Sequence, residues 1–296
     1  VTQSVFVHGH SRLVQEVHSY LGWPVLDVRL RITWNEERRR LKLRIPTRFD
    51  GAGVFCEVPG AAITRPADGE EHVHGRWLLI EGKAGGRAAA LAVVNSGQHG
   101  LDCRGGEVRL SVLRSAAYCH ERGFAIGKRP VRRFADIGEH DVRLLVAAGE
   151  PNAVRTILPG LADYLSAPPV AYAHLPARCG SNGTSLLRLK AEGVRLLACK
   201  PSWDGKALII RLQEGVGAAT RAELRVAAKG AAHGIEVSLP KKPERAKAGE
   251  TSRAAGRNTN KPDEIRISLR FAPFEIKTVR VEPGGRWREV GLIDEQ

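Results

Sequence analysis

The strongest structural signal in this chain is a two-residue period of apolar side chains. Val28, Leu30, Ile32 and Trp34 alternate with polar residues, as expected for a strand with one face in a core and the other in water. The same alternation recurs in three more stretches, Leu41–Ile45, Val108–Val112 and Ile265–Phe271. Gly- and Pro-rich turns separate these runs, and no long segment has a convincing 3.6-residue period. The pattern predicts an all-β fold of consecutive antiparallel β-sandwich domains.

Changes in this pattern divide the chain into three parts. Residues 1–155 are rich in strand patterns and predict a large β-sandwich domain. Residues 156–185 contain Pro and Gly clusters with little strand pattern, and we predict a linker there. Residues 186–296 predict a second, C-terminal β-sandwich domain. Within it, residues 240–262 are rich in Lys, Arg, Ala, Gly and Glu, which predicts a mobile loop, with a basic docking segment as the alternative.

The formal net charge of +14 raises the question of a polyanionic partner. The basic residues are spread along the chain, and many alternate with apolar ones, as Arg29 and Arg31 do. This placement predicts that they lie on solvated outer faces of sheets. No recognised nucleic-acid reader motif is found, and no stretch approaches the run of about 20 apolar residues that crosses a bilayer. Neither nucleic acid nor a membrane is therefore predicted as a partner.

The five cysteines are Cys56, Cys103, Cys119, Cys179 and Cys199. Their odd number, wide spacing and lack of a C-x-x-C pair match neither a disulfide framework nor a zinc-finger pattern. We interpret them as buried free thiols in a reducing compartment. This interpretation of the cysteines makes a cytoplasmic location the expectation. The start of the sequence has no signal-peptide pattern, but that says little about where the parent protein is located.

Three groups of acidic residues have the composition of an acid–base site. Glu36–Glu37 and Glu70–Glu71 are adjacent pairs in turn-like contexts, where solvated hairpin positions are the commoner interpretation. Asp136, Glu139 and Asp141 cluster around a glycine just before a strand. Nothing in the sequence brings two of these carboxylates face to face, so no catalytic residue is assigned.

Histidine and cysteine offer two further patterns. His8 with His10, and His72 with His74, are i, i+2 pairs that share one face of a strand and could supply two metal ligands. Neither pair has a third ligand at a recognisable spacing. Cys119–His120 resembles a nucleophile beside a base, but neighbours on an extended chain point opposite ways. No metal ligand is therefore assigned either.

A series of short motifs says more. The series begins with SRLVQE at Ser11, continues with LDVR at Leu26 and TWNE at Thr33, and then with LKLRIP at Leu41. Further on come FCEVPG at Phe55, LAVVNSGQHGLD at Leu91, VRLSVLRS at Val108 and, near the end, FEIKTV at Phe274. Together these motifs resemble the C-terminal β region of glycoside hydrolase family 38 α-mannosidases of the bacterial type. The similarity covers almost the whole chain, in order.

This resemblance implies that catalysis belongs to another domain than this chain. Family members hydrolyse terminal α-mannosides with retention, using a carboxylate nucleophile and a zinc ion held by an N-terminal catalytic domain. No part of that domain matches this chain, and the resemblance implies that the 1–155 domain lacks the opening strand. The chain is therefore expected to hold no cofactor and to be inert by itself. Its expected partners are the catalytic domain, an α-mannoside carbohydrate and, as an open alternative, a second copy of itself.

The resemblance also selects three residues for the wall of the substrate cleft. Asn95 and His99 lie in the stretch that matches the family's "ALLNDSKYGYD" motif, and Arg114 lies in the LRS stretch. We expect these three to bind substrate. His99 stands where a Tyr is more usual, which weakens the transfer of that contact.

A carbohydrate-binding module that acts alone is the rival hypothesis, on the same class of fold. Such a module needs an exposed aromatic platform on which a sugar can stack. Trp23, Trp203 and Trp287 lie near turns and are the candidates for it. A basic nucleic-acid-binding protein is a third hypothesis, and it predicts retention that falls steeply with salt.

Overall fold

The computed structural model describes residues 1–117, 133–170, 185–227, 264–283 and 285–291. The chain forms two compact units, Val1–Pro169 and Val170–Gln296. Both are built from antiparallel sheets, so the all-β prediction is confirmed. The predicted loop at residues 240–262 and the Cys119–His120 pair lie outside the described residues.

The first unit contains twelve described strands and one helix. The strands are β1 (Thr2–His8), β2 (Ser11–Tyr20), β3 (Trp23–Trp34), β4 (Arg40–Pro46), β5 (Asp50–Val58), β6 (Ala61–Arg65), β7 (His72–Val73), β8 (Trp77–Ala84), β9 (Arg87–Asn95), β10 (Gly100–Arg104), β11 (Glu107–Arg114) and β12 (Gly138–Gly149), and the helix is α1 (Pro151–Ser166).

These strands form an eight-stranded sheet, in the order β1-β2-β3-β12-β9-β8-β5-β6, and a four-stranded sheet, in the order β4-β11-β10-β7. Leu30, Ile32 and Trp34 of the large sheet share one buried cluster with Val108 and Leu110 of the small sheet. The two sheets therefore enclose the core of a sandwich, and the alternation in β3 correctly predicted its inner face.

Helix α1 covers part of the outer face of the large sheet, where it packs on β8, β9 and β12. Glu150 caps its start by accepting a hydrogen bond from the Ala153 amide, and a proline occupies the first turn. Leu158 and Leu161 are among the residues that the helix buries against the sheet.

This helix corrects the sequence prediction of a linker at 156–185, because the structure extends the first unit to Pro169. The buried positions Val154, Leu158, Leu161 and Ala162 do have helical spacing. Pro159, which lies inside the helix, and the glycine after it obscure that period in the sequence.

The second unit has seven described strands: β13 (Leu187–Lys190), β14 (Val194–Pro201), β15 (Leu208–Glu214), β16 (Thr220–Ala227), β17 (Glu264–Phe271), β18 (Ile276–Val281) and β19 (Trp287–Val290). They form sheets of order β13-β16-β17 and β14-β15-β18-β19. Ile210 and Leu212 of one sheet pack with Leu224, Ile267 and Phe271 of the other. This unit is thus a second sandwich with its own core.

Three cysteines fall among the described residues, and all three are free. Cys56 and Cys103 are buried in the core of the first sandwich, as predicted, whereas Cys199 on β14 is exposed. Burial raises the pKa of the Cys56 thiol to about 12, so it stays protonated. Within the described parts of the chain, no helix is long and apolar enough to span a membrane.

Candidate functional site

Asn95, the last residue of β9, organises the turn that follows it. Its side-chain oxygen accepts hydrogen bonds from the amides of Gly97 and Gln98, both at 2.9 Å. Its side-chain nitrogen donates to the Gly75 carbonyl at 3.0 Å. Because the residue is buried and both side-chain atoms are occupied, Asn95 fixes the position of this turn against the chain at Gly75.

His99 meets the same carbonyl from the other end of the turn. Its ring Nδ1 lies 3.1 Å from the Gly75 oxygen. A carbonyl can only accept, so Nδ1 carries the proton, and Nε2 of the neutral ring keeps its lone pair. Two of the three predicted site residues are therefore brought together. We call His74, Gly75, Arg76, Asn95 and His99 the Gly75 corner.

His74 is the buried member of this corner. It is 3% exposed, its ring lies edge-on to His99 with 6.3 Å between centroids, and its backbone amide donates to the His99 carbonyl. Neither ring nitrogen has a hydrogen bond of ordinary geometry to any described residue. Burial, with a smaller contribution from His99, lowers the pKa of His74 to about 4. The ring is thus neutral at physiological pH.

Gly75 itself must be a glycine because the chain passes very close to Glu57. A Cβ atom at this position would lie 2.8 Å from the Glu57 carboxylate and 3.0 Å from its carbonyl. The Glu57 carboxylate also accepts from the Arg76 guanidinium at 2.6 Å, and Arg76 reaches Asp163 of α1 at 2.8 Å. These ion pairs connect the Gly75 corner with β5 and with the helix.

The members of the His72–His74 pair have different surroundings. His72 lies at a hydrogen-bonding distance of 3.1 Å from Asp68, whereas His74 packs on His99. The described residues contain no group of three or more His, Cys, Asp or Glu side chains that could hold a metal ion. No step of a mechanism is assigned to a metal in this chain.

Arg114 lies at the end of β11, three residues beyond Ser111, which pairs with Gly100 of β10. Its backbone amide donates to the Asp136 carboxylate at 2.8 Å, and its side chain is exposed at the end of β11. A substrate contact shared by Arg114 and His99 stays a prediction.

Sequence reasoning missed a buried charge network beneath the end of α1. Asp27 is fully buried, although it lies on the face of β3 that was predicted to be solvated. Arg143 donates to its two oxygens at 2.9 and 3.0 Å, and Arg29 donates at 2.8 Å. Burial alone would raise the pKa of Asp27, but these hydrogen bonds outweigh it and lower the pKa.

A groove of about 500 Å³ opens on the same face, directly beside this network. Its charged lining consists of Glu16, Arg29, Arg31, Asp141 and Arg143. Adjacent strands bring these residues together, since Arg29 pairs in register with Glu16 of β2 and with Arg143 of β12. Arg29 is 46% exposed and Arg31 82% exposed, as predicted for the outer face, but Arg29 is also ion-paired with the buried Asp27.

The three candidate platform tryptophans differ in their surroundings. Trp23 is half-buried in a row of rings with Tyr20 and Tyr164, at centroid distances of 5.9 and 5.8 Å. Trp287 packs against the core of the second sandwich. Trp203 is 55% exposed and remains the best match to a stacking platform.

The first of the two antiparallel sandwiches carries both the polar Gly75 corner and the charged groove. Two family models match the sequence: the glycosyl hydrolases family 38 C-terminal domain over residues 1–122, and the family 38 C-terminal beta sandwich domain over residues 193–279. Since these ranges include more than half of the 296 residues, the chain belongs to the C-terminal region of glycosyl hydrolase family 38.

Solved structures show the same fold at low sequence identity. An α-mannosidase from Enterococcus faecalis V583 matches 94% of this chain with 13% identity and a TM-score of 0.63. A protein of glycosyl hydrolase family 38 from Enterococcus faecalis matches 94% with 14% identity and a TM-score of 0.63. The chain spans only 29% and 30% of those proteins. No curated protein sequence matches it.

Proposed function

We propose that this chain is the β-sandwich portion of a retaining α-mannosidase, that it supports the catalytic domain and walls the substrate cleft, and that it is inert by itself. The observation that carries the proposal is the match of two family 38 C-terminal models, in order, to the two sandwiches. The catalytic domain, as a partner, supplies the nucleophile and the zinc ion.

The exposed edge of the large sheet favours the proposed packing against another domain. β1 is the outermost strand of that sheet, and its apolar residues Val5, Phe6 and Val7 are exposed. An open strand edge with exposed apolar side chains favours pairing or packing with a further protein surface. We assign this edge to the contact with the catalytic domain.

The Gly75 corner supports the cleft-wall part of the proposal. His99 is exposed, and the hydrogen bond from its Nδ1 to the Gly75 carbonyl leaves Nε2 as an acceptor for a substrate hydroxyl group. Asn95 acts as a positioning residue, since it holds the turn that carries His99. Arg114 adds an exposed guanidinium group to the proposed wall.

Hydrolysis of an aryl α-mannoside tests this function in two arms. The purified chain alone, with zinc added, should give no turnover above buffer. Co-expressed with a family 38 catalytic domain from the same genome, it should give turnover that a chelator abolishes. In that complex, His99→Ala should raise KM more than it lowers kcat. The matched control, His10→Ala, replaces an exposed histidine that lies outside the corner and outside β1 and should change neither. Turnover by the chain alone would refute the proposal.

Trp203 favours a carbohydrate-binding module as the second candidate function. If that module is the real function, Trp203→Ala should abolish retention of the chain on mannan. Unchanged retention would remove this alternative.

A further inference from the structure

The charged groove on the outer face of the large sheet is lined by residues other than Asn95, His99 and Arg114. It begins where α1 ends, and Leu165 near the end of that helix forms one of its sides. Its volume of about 500 Å³ lies inside the range of about 300 to 1,000 Å³ that is usual for small-ligand sites. We propose that this groove binds a neutral saccharide of one or two rings.

The balance of charge favours a neutral ligand over an anion. The guanidinium groups of Arg29, Arg31 and Arg143 are matched by the carboxylates of Glu16 and Asp141 in the lining and of Asp27 beside it. Three positive and three negative groups leave no excess field that would attract a phosphate or a sulfate.

The polar groups are arranged as a polyol requires. A sugar hydroxyl donates one hydrogen bond and accepts others, so it fits a surface where donors and acceptors alternate. Glu16 and Arg29 face each other across β2 and β3, and Arg31 lies 3.9 Å from Asp141. Hydrogen bonds from His18 and Gln3 lower the pKa of Glu16, which keeps it a charged acceptor.

The floor of the groove is rigid, and one side is apolar. Arg29 and Arg143 are both held by the buried Asp27 carboxylate, so their guanidinium planes are fixed before a ligand arrives. Arg143 also lies over the ring of Tyr164, 5.6 Å from its centroid. Val14 and Leu165 provide the apolar surface that the C–H face of a sugar needs.

Binding of mannobiose to the full chain, followed by calorimetry and by NMR shifts of backbone amides, tests the proposal. The choice of a mannose probe rests on the proposed function; lactose and maltose widen the panel, and mannose 6-phosphate and inorganic sulfate serve as anionic probes. We expect millimolar binding of at least one neutral sugar, with the largest shifts around Ser96 and Leu165.

Two exposed residues at the rim allow a test without loss of the fold. Arg31→Ala and Asp141→Ala should each weaken sugar binding about tenfold, the usual effect of losing a hydrogen bond to a charged group. The control is Arg44→Ala, which removes an exposed, ion-paired arginine from the small sheet and should leave affinity unchanged.

Three results would overturn the proposal: no neutral sugar binds at millimolar concentration, an anionic probe binds more tightly than every neutral sugar, or the rim variants bind as the unchanged chain does. Failure here is separable from failure of the proposed function. A chain that binds no sugar in this groove but still supports zinc-dependent mannoside hydrolysis contradicts only the groove. A chain that binds sugar here but supports no hydrolysis contradicts only the cleft-wall role.

Discussion

Replacement of His74 by Leu should remove a pH-dependent part of the stability of the first sandwich. In the folded chain, burial holds the pKa of His74 at about 4, against an ordinary value of 6.5. Because the folded pKa of this base is the lower one, only the unfolded chain binds the proton between these two values. The free energy of unfolding is therefore greatest above the unfolded pKa and falls as the pH drops through this interval.

The magnitude follows from the two pKa values. The difference corresponds to about 3 kcal/mol of stability lost on full acidification. Leu cannot be protonated and is close to His in size, so the variant should lack this loss. At neutral pH it should be at least as stable as the unchanged chain, because it also removes two buried ring nitrogens that have no hydrogen bond of ordinary geometry to a described residue.

Urea unfolding across this pH interval provides the assay, with hydrogen exchange of the β9 and β10 amides as a readout specific to the first unit. An NMR titration of the His74 ring measures the pKa directly. The matched control is His8→Leu, an exposed histidine, whose stability curve should run parallel to that of the unchanged chain. If the His74→Leu curve also runs parallel, or if the ring titrates near 6.5, the reasoning is refuted.

Three further perturbations test the packing. Leu158→Ala should lower the free energy of unfolding in urea by about 2–5 kcal/mol, because this side chain of α1 is only 1% exposed. Ile157→Ala, at a 38% exposed position of the same helix, should lower it by about 0.5 kcal/mol. Equal losses of stability would contradict the packing of this helix. Asp27→Ala should destabilise the fold by about 3–5 kcal/mol, because it leaves Arg29 and Arg143 without their buried carboxylate partner. An unchanged urea midpoint would contradict this reasoning. In native alkylation followed by peptide mapping, Cys199 should be labelled and Cys56 protected, and early labelling of Cys56 would show that the core opens.

The sequence predicted the inner face of the first sandwich well because that face depends on a local period. Leu30 and Ile32 alternate with charged residues, and successive side chains of a strand point to opposite faces. Only the face that carries Leu30 and Ile32 is therefore apolar enough to lie in the core. The outer face could not be predicted in the same way. Whether Asp27 meets water depends on a helix more than 120 residues later in the chain and on Arg143, 116 residues away.

The candidate site was predicted only in part for a related reason. Asn95 and His99 were selected by resemblance, and the structure joins them at one carbonyl. Their common partner Gly75, and the buried His74 beside it, come from a stretch about 20 residues earlier whose sequence shows no strand period. Gly75 is a glycine because Glu57 lies very close to it in the fold. A single sequence does not show such a contact, so the role of Gly75 could not be predicted.

The position of β12 in the large sheet has a consequence for biosynthesis. The strand is inserted between β3 and β9, although it is made after all the other strands of that sheet. While the chain leaves the ribosome, β1–β3 form one half of this sheet and β5, β6, β8 and β9 form the other. The inner edge of each half stays open until residues 138–149 emerge. Pairing across so long a stretch of chain is slow, and open edges of this kind capture strands from other chains. Nascent copies should therefore be most prone to strand exchange and aggregation after Asn95 and before Gly149 is made.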